Sequence, residues 1–185
     1  MGIRDRLNLA PVSLELGGKS PILVFDDADL DGAVNGAIAG NFGASGQSCV
    51  AGSRVLVQAG MHDRFISELV ERAEAIRIGD PLDDDSQMGP LATRAQRDRI
   101  EAVVAESIAQ GAVLHAGGAR TEGLDAGWYY RTTVLGCADQ EVACTRIELY
   151  GPVMYVSSFE HEADGLAMAH DTEIDLEAGH FRYDE

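Results

Sequence analysis

The sequence predicts an α/β domain, a three-layer sandwich in which helices cover both faces of a mostly parallel sheet. Short, almost continuously apolar segments alternate along the chain with longer segments of helical apolar spacing. At 185 residues the chain suits one domain with a real core, so residues 1–185 are read as a single domain. Its 45% apolar and 24% charged content is that of a globular chain rather than a disordered one.

Pro11–Leu16 and Ile22–Phe25 are expected as two strands of that sheet, broken by a turn at Gly17-Gly18. Leu30–Phe42 has helical spacing, with Asp29 placed to cap it. That helix carries Gly32, Gly36 and Gly40, which cost helix stability and so point to close packing or to a backbone held near a ligand. Arg54–Gln58 reads as a buried strand. Met61–Ile76 is the clearest amphipathic helix, with Phe65, Ile66, Leu69, Val70, Ala73 and Ile76 on one face. Gly79–Pro90 is an acidic loop, but Met88 and Arg94 stand where an EF-hand needs Gly and Glu, so a calcium loop is excluded. A second long helix is expected over Thr93–Gln110, ended by Gly111. Ala112–His115, Thr132–Leu135, Val153–Phe159 and Ala178–Phe181 read as further strands, and Ala163–His170 as a last short helix.

A net charge of −17 argues against a nucleic-acid partner, which would need a basic stripe, and is read as a device for solubility. No apolar run reaches membrane-spanning length, the first residues hold no signal-peptide core, and Arg6 stands where a myristoylation signal needs Ser or Thr. The 3 cysteines lack Cys-x-x-Cys spacing and the 5 histidines are scattered, so neither a disulfide framework nor a zinc site is indicated. The expectation is a reduced, metal-free, cytoplasmic protein without a membrane partner.

Two residues stand out chemically. Cys49, in Gly46-Gln47-Ser48-Cys49-Val50-Ala51-Gly52, sits among small residues that leave its sulfur reachable and let its own N–H point at a developing oxyanion. The ordinary alternative for such a thiol is a buried structural cysteine. Glu15, in Ser13-Leu14-Glu15-Leu16-Gly17-Gly18-Lys19, is a carboxylate in an apolar segment: either a base, or a structural group paired with Lys19. Cys137 and Cys144 lack small-residue surroundings and are expected to react as ordinary thiols, more slowly than Cys49. Glu15 and Cys49 are expected together at the mouth of one cleft. Gly43-Ala44-Ser45-Gly46-Gln47 is no nucleophile elbow, since Gln47 replaces the final glycine.

Both segments, at this separation, resemble the active-site signatures of the NAD(P)-dependent aldehyde dehydrogenase superfamily. The resemblance extends over Pro21–Phe25, Gly79-Asp80-Pro81, Met88-Gly89-Pro90-Leu91, Gly127-Trp128-Tyr129, Glu148-Leu149-Tyr150-Gly151-Pro152-Val153 and Asp171-Thr172-Glu173. It implies a catalytic-domain fold in which Cys49 adds to an aldehyde, NAD or NADP takes the hydride, and Glu15 activates the water that releases the acid. It also implies that Glu148 holds the nicotinamide ribose and Tyr150 lies beside the nicotinamide, with Leu16 and Gly17 completing the cofactor-facing set. Only residues 1–14 precede Glu15, so the cofactor domain, its lysine and the oxyanion asparagine that the family places earlier are expected to be missing, as are the closing segments. Ile174-Asp175-Leu176-Glu177 and His180 put polar groups where the family has small or apolar ones. The implied partners are a small-molecule aldehyde and either further copies of the chain or a cofactor domain supplied in trans. The competing readings are a non-catalytic binding or assembly module of the same fold, and a cofactor-independent thiol esterase.

Overall fold

The apolar runs form strands β1 (Pro21–Val24), β2 (Arg54–Gln58), β3 (Val113–Ala116), β4 (Thr133–Gly136), β5 (Val153–Phe159) and β6 (Gly179–Phe181). In this computed structural model, which describes residues 13–174 and 176–183, they make a six-stranded sheet of order β3-β4-β5-β2-β1-β6. Four of the neighbouring pairs are parallel, and β3 runs antiparallel to β4. Sheets of this kind are buried on both faces, which is why β1, β2 and β5 read as near-continuous apolar runs instead of alternating ones.

The pleat sends successive side chains to opposite faces. Ile22, Val24, Val55, Val57, Val134, Met154 and Val156 point to one layer, and pack with Val34, Phe65 and Leu69 of helices α1 (Leu30–Phe42) and α2 (Ala59–Glu74). Leu135, Val153 and Tyr155 point the other way, onto Ile100, Val103 and Val104 of α3 (Arg94–Ala109) and Cys144 of α4 (Ala143–Arg146). Leu23 and Leu56 join that second face beside Ala169 of α5 (Glu162–His170). The three-layer expectation therefore holds, with the core divided by the sheet. Among the described residues no helix is long and apolar enough to cross a membrane.

Local chemistry sets the helix ends as expected. Asp29 accepts from the Gly32 N–H at 2.8 Å and caps α1, and Thr93 accepts from the Gln96 N–H at 3.1 Å and caps α3. One glycine of α1 serves packing: a Cβ at Gly36 would lie 2.3 Å from the Phe181 ring, so the glycine lets β6 dock. Arg54, buried at the start of β2, donates to the carbonyls of Met168 (3.0 Å), Ala169 and Asp171 (3.2 Å) and so closes the C-terminal end of α5.

One expected strand fails. Ser13–Leu16 is irregular and exposed, with Leu14 and Leu16 at 64% and 56% exposure; Pro11 and Val12 lie outside the described residues. The reason lies in the sheet. Both edges of β1 are already taken, by β2 on one side and β6 on the other, so the segment cannot pair with the strand it leads into. The remaining expected elements form within a residue or two of their expected limits, and the short helix α4 is additional.

Candidate active site

The chain between α1 and β2 is a strained turn. Ala44 and Ser45 sit in the left-handed region at φ 49° and 57°, and Gly46 follows at 70°. A non-glycine residue there costs energy that the surroundings must over-determine, and they do. Ser45 Oγ donates to the Gly89 carbonyl at 3.0 Å, and Gln47 Oε1 accepts from the Ala92 N–H at 2.9 Å. Gly46 lies so close to the Gly151 backbone that a Cβ would stand 2.0 Å from its carbonyl oxygen. The turn that presents Cys49 is thus clamped by Gly89 and Ala92 on one side and by Gly151-Pro152 on the other.

Cys49 itself is half-buried, and its thiol is free. Among the described residues no acceptor takes its backbone N–H. Its neighbours Ser48 and Val50 line a cleft of about 500 Å³ together with Pro21, Gly40 and Phe181. Ser48 also faces a small void shared with Gly18, Asn41, Glu148 and Tyr150. Asn41 is fully buried there, and neither of its amide atoms has a partner among the described residues.

Gly17 and Gly18 bring the first motif to the second. Gly18 packs on the Cys49 loop closely enough that a Cβ would sit 2.8 Å from the Cys49 carbonyl oxygen. Its N–H donates to Glu148 Oε1 at 3.2 Å, and a Cβ at Gly17 would meet Glu148 Oε2 at 2.4 Å. Gly17, Gly18, the Cys49 turn and Glu148 therefore meet at one place, although they come from three distant stretches of chain. Tyr150, at φ 53°, is 42% exposed beside them. Its turn is held by Gln96 of α3, whose Nε2 donates to the Tyr150 carbonyl at 2.8 Å.

Glu15 lies outside this knot. It is solvent-exposed on the irregular segment that leads into Gly17, and none of the hydrogen bonds or ion pairs among the described residues uses its carboxylate. Leu16 is exposed beside it. Lys19 is not its partner: the side chain turns into the core, its ammonium 5.5 Å from the centre of the Tyr155 ring, and burial pulls its pKa down to about 8. Cys137 and Cys144 are not ordinary thiols either, being buried in mutual contact with their Sγ atoms 3.3 Å apart. The anchoring roles of Gln47 and Gln96 were beyond sequence reasoning. Gln47 at least adjoins the thiol motif, whereas nothing marks Gln96 except its place in the first turn of a helix.

Comparison with known proteins identifies the family and the fold. A profile of the aldehyde dehydrogenase family matches residues 3–184. The betaine aldehyde dehydrogenase of Brucella anthropi is 46% identical over 179 residues, covering 96% of this chain and 37% of that protein. The Brucella ovis enzyme of the same name is 46% identical over 178 residues, covering 95% of this chain and 37% of its own length. Among solved structures, betaine aldehyde dehydrogenase from Staphylococcus aureus in complex with NAD+ superposes with a TM-score of 0.91 at 36% identity, covering 96% of this chain and 35% of that one. An aldehyde dehydrogenase from Bacillus cereus superposes with a TM-score of 0.91 at 31% identity, covering 98% and 36%. The chain spans little more than a third of the length of the relatives it matches.

Proposed function

The chain belongs to the aldehyde dehydrogenase family, and on that premise we propose that it carries the nucleophile-and-base portion of an enzyme oxidising an aldehyde to its acid. The observation that supports this most is the meeting of Gly18 with both the Cys49 carbonyl and the Glu148 carboxylate, which brings three motif segments into one site. In this reading the Cys49 thiolate attacks the aldehyde carbon and the carbonyl oxygen becomes an oxyanion. The Cys49 N–H, free of other acceptors among the described residues, donates to that oxyanion; one such donor is worth about 3 kcal/mol of barrier.

The residues at the meeting point suit the ribose end of a nicotinamide nucleotide. Glu148 has one oxygen tied to Gly18 and a second against the bare Cα of Gly17, leaving acceptor capacity for a sugar hydroxyl, and Tyr150 offers an exposed ring beside it. NAD or NADP, when bound, supplies the hydride acceptor. The remaining chemistry belongs to the chain: a Cys49 thioester is cleaved by water, and Glu15, exposed and unpaired among the described residues, removes the water's proton as the thiol leaves. In this reading Glu15 reaches the site by a swing of the exposed segment that leads into Gly17, and Leu16 and Gly17 face the cofactor. The names of the relatives make betaine aldehyde the first substrate to try.

The test is a stopped assay of acid formation from betaine aldehyde and NAD+ or NADP+, run with this chain alone and with a separately purified cofactor-binding portion of a relative. Activity that needs both parts and is lost in Cys49→Ala supports the assignment. Acid formation that survives Cys49→Ala, or that never appears although the two parts associate, rejects it.

A further inference from the structure

Cys137 and Cys144 play no part in the site above, yet their surroundings are built. Cys137 follows β4 and its N–H donates to the Val156 carbonyl of β5 at 2.9 Å, which ties it to the sheet. Cys144 is the second residue of α4, and its N–H donates to Ser107 Oγ at 2.9 Å, while Ser107 Oγ in turn donates to the Val103 carbonyl at 2.7 Å within α3. Sheet and helix thus hold the two sulfurs 3.3 Å apart, in hydrogen-bond contact and shielded from solvent.

We propose that Cys137 and Cys144 form a modification site, a dithiol that a hydroperoxide converts to an intramolecular disulfide. The contact distance already approaches the bond: shortening it to about 2.0 Å is a small shift for two side chains on adjacent elements. Cys144 is the attacking sulfur. Its hydrogen bond with Cys137 favours its thiolate most; burial opposes this, and Ser107 and the Lys19 ammonium assist it. The same contact pushes Cys137 upward, so Cys137 keeps its proton.

The Cys144 sulfur attacks the terminal peroxide oxygen and the O–O bond breaks. This leaves a sulfenic acid on Cys144, and the departing alkoxide or hydroxide takes up a proton to become alcohol or water. The Cys137 sulfur then attacks the Cys144 sulfur, the S–O bond breaks, and the hydroxyl leaves as water with the Cys137 proton. Two thiols lose two hydrogens and one peroxide is reduced. Burial of both sulfurs restricts the reaction to small oxidants and disfavours a mixed disulfide with a bulky thiol.

The experiment uses the full chain carrying Cys49→Ser, so that the pair holds the remaining thiols. The folded protein is treated with hydrogen peroxide, remaining thiols are alkylated after unfolding, and unreduced peptides are mapped by mass. The expected result is that residues 137 and 144 take no alkyl label, that their peptide material is lighter by two hydrogens, and that dithiothreitol restores both labels. Cys144→Ser is expected to leave Cys137 fully labelled after the same treatment, with Cys144→Ala as a second variant should the serine disturb folding. Full labelling of both cysteines in the treated parent overturns the proposal. So does sulfinic acid on Cys144 with Cys137 still labelled, or a bond from either residue to a second chain.

Discussion

The Gly18 N–H donates to the Glu148 carboxylate at 3.2 Å, joining positions 130 apart in the chain. The same glycine rests on the Cys49 carbonyl, so one backbone position couples three segments. The consequence for mutation is direct. Gly18→Ala would place a Cβ 2.8 Å from the Cys49 carbonyl oxygen and 2.8 Å from the Leu176 Cβ, where the obstacle on one side is backbone. Overpacking of that kind costs about 1–3 kcal/mol. Urea unfolding is expected to show that loss. A change below roughly 0.5 kcal/mol, the range of neutral surface substitutions, would mean that the loop yields freely.

The three cysteines are expected to separate by access. Cys49 is half-buried on a turn beside an open cleft, whereas Cys137 and Cys144 are covered by α3 and the sheet. The contact with Cys137 lowers the pKa of Cys144, but a thiolate that reagent cannot reach does not react. Iodoacetamide labelling of the native, reduced chain is expected to modify Cys49 roughly tenfold faster or more than either partner. Equal rates at all three would make Cys49 structural.

Arg54 supports a helix rather than an ion pair. Its guanidinium donates to three carbonyls at the end of α5, and for Ala169 it is the one donor among the described residues. Arg54→Leu keeps apolar volume but leaves the Ala169 carbonyl without a partner among the described residues, while Met168 keeps the Asp171 N–H and Asp171 keeps Arg146. Hydrogen bonds of this charged kind are worth about 2–3 kcal/mol, and a loss of that order in unfolding free energy is expected, together with loosened amide-exchange protection in residues 165–171. Unchanged protection there would refute the capping role.

Lys19 predicts a slope with pH. Burial lowers its pKa from 10.5 to about 8 in the folded chain. Between those two values the unfolded chain binds the extra proton, so stability rises with pH from about 8 to 10.5 and is flat in this respect below 8. The full span is worth about 3 kcal/mol at 1.36 kcal/mol per pKa unit. Tyrosines and cysteines titrate in the same region, so the quantity to measure is the difference between the parent and Lys19→Met. That difference is expected to shrink or reverse in the parent's favour as pH rises. A difference independent of pH would show that Lys19 is charged in both states at its ordinary pKa.

Much of this protein is legible in local pattern. Leu30–Phe42, Arg54–Gln58 and Val153–Phe159 were set by apolar spacing and by caps such as Asp29, because a helix or strand face and its first hydrogen bonds depend on residues only a few positions apart. The sequence also marked Cys49, Gly17 and Gly18, since a thiol among small residues and a glycine pair are visible without coordinates, whereas Glu148 was indicated by the family resemblance. What tertiary structure alone decided is where those segments lie relative to one another. Leu14 and Leu16 carry a strand's alternation, yet they cannot pair with the strand they lead into because β2 and β6 already occupy both edges of β1, a matter of global strand order. Lys19 stands four residues from Glu15 but turns inward to Tyr155, since Gly17 and Gly18 direct the chain across the Cys49 turn. The contact of Cys137 with Cys144 follows from the docking of α4 on α3 beside the end of β4. Local chemistry chooses elements and chemical groups, whereas competition for a finite number of sheet edges and buried positions chooses which groups meet.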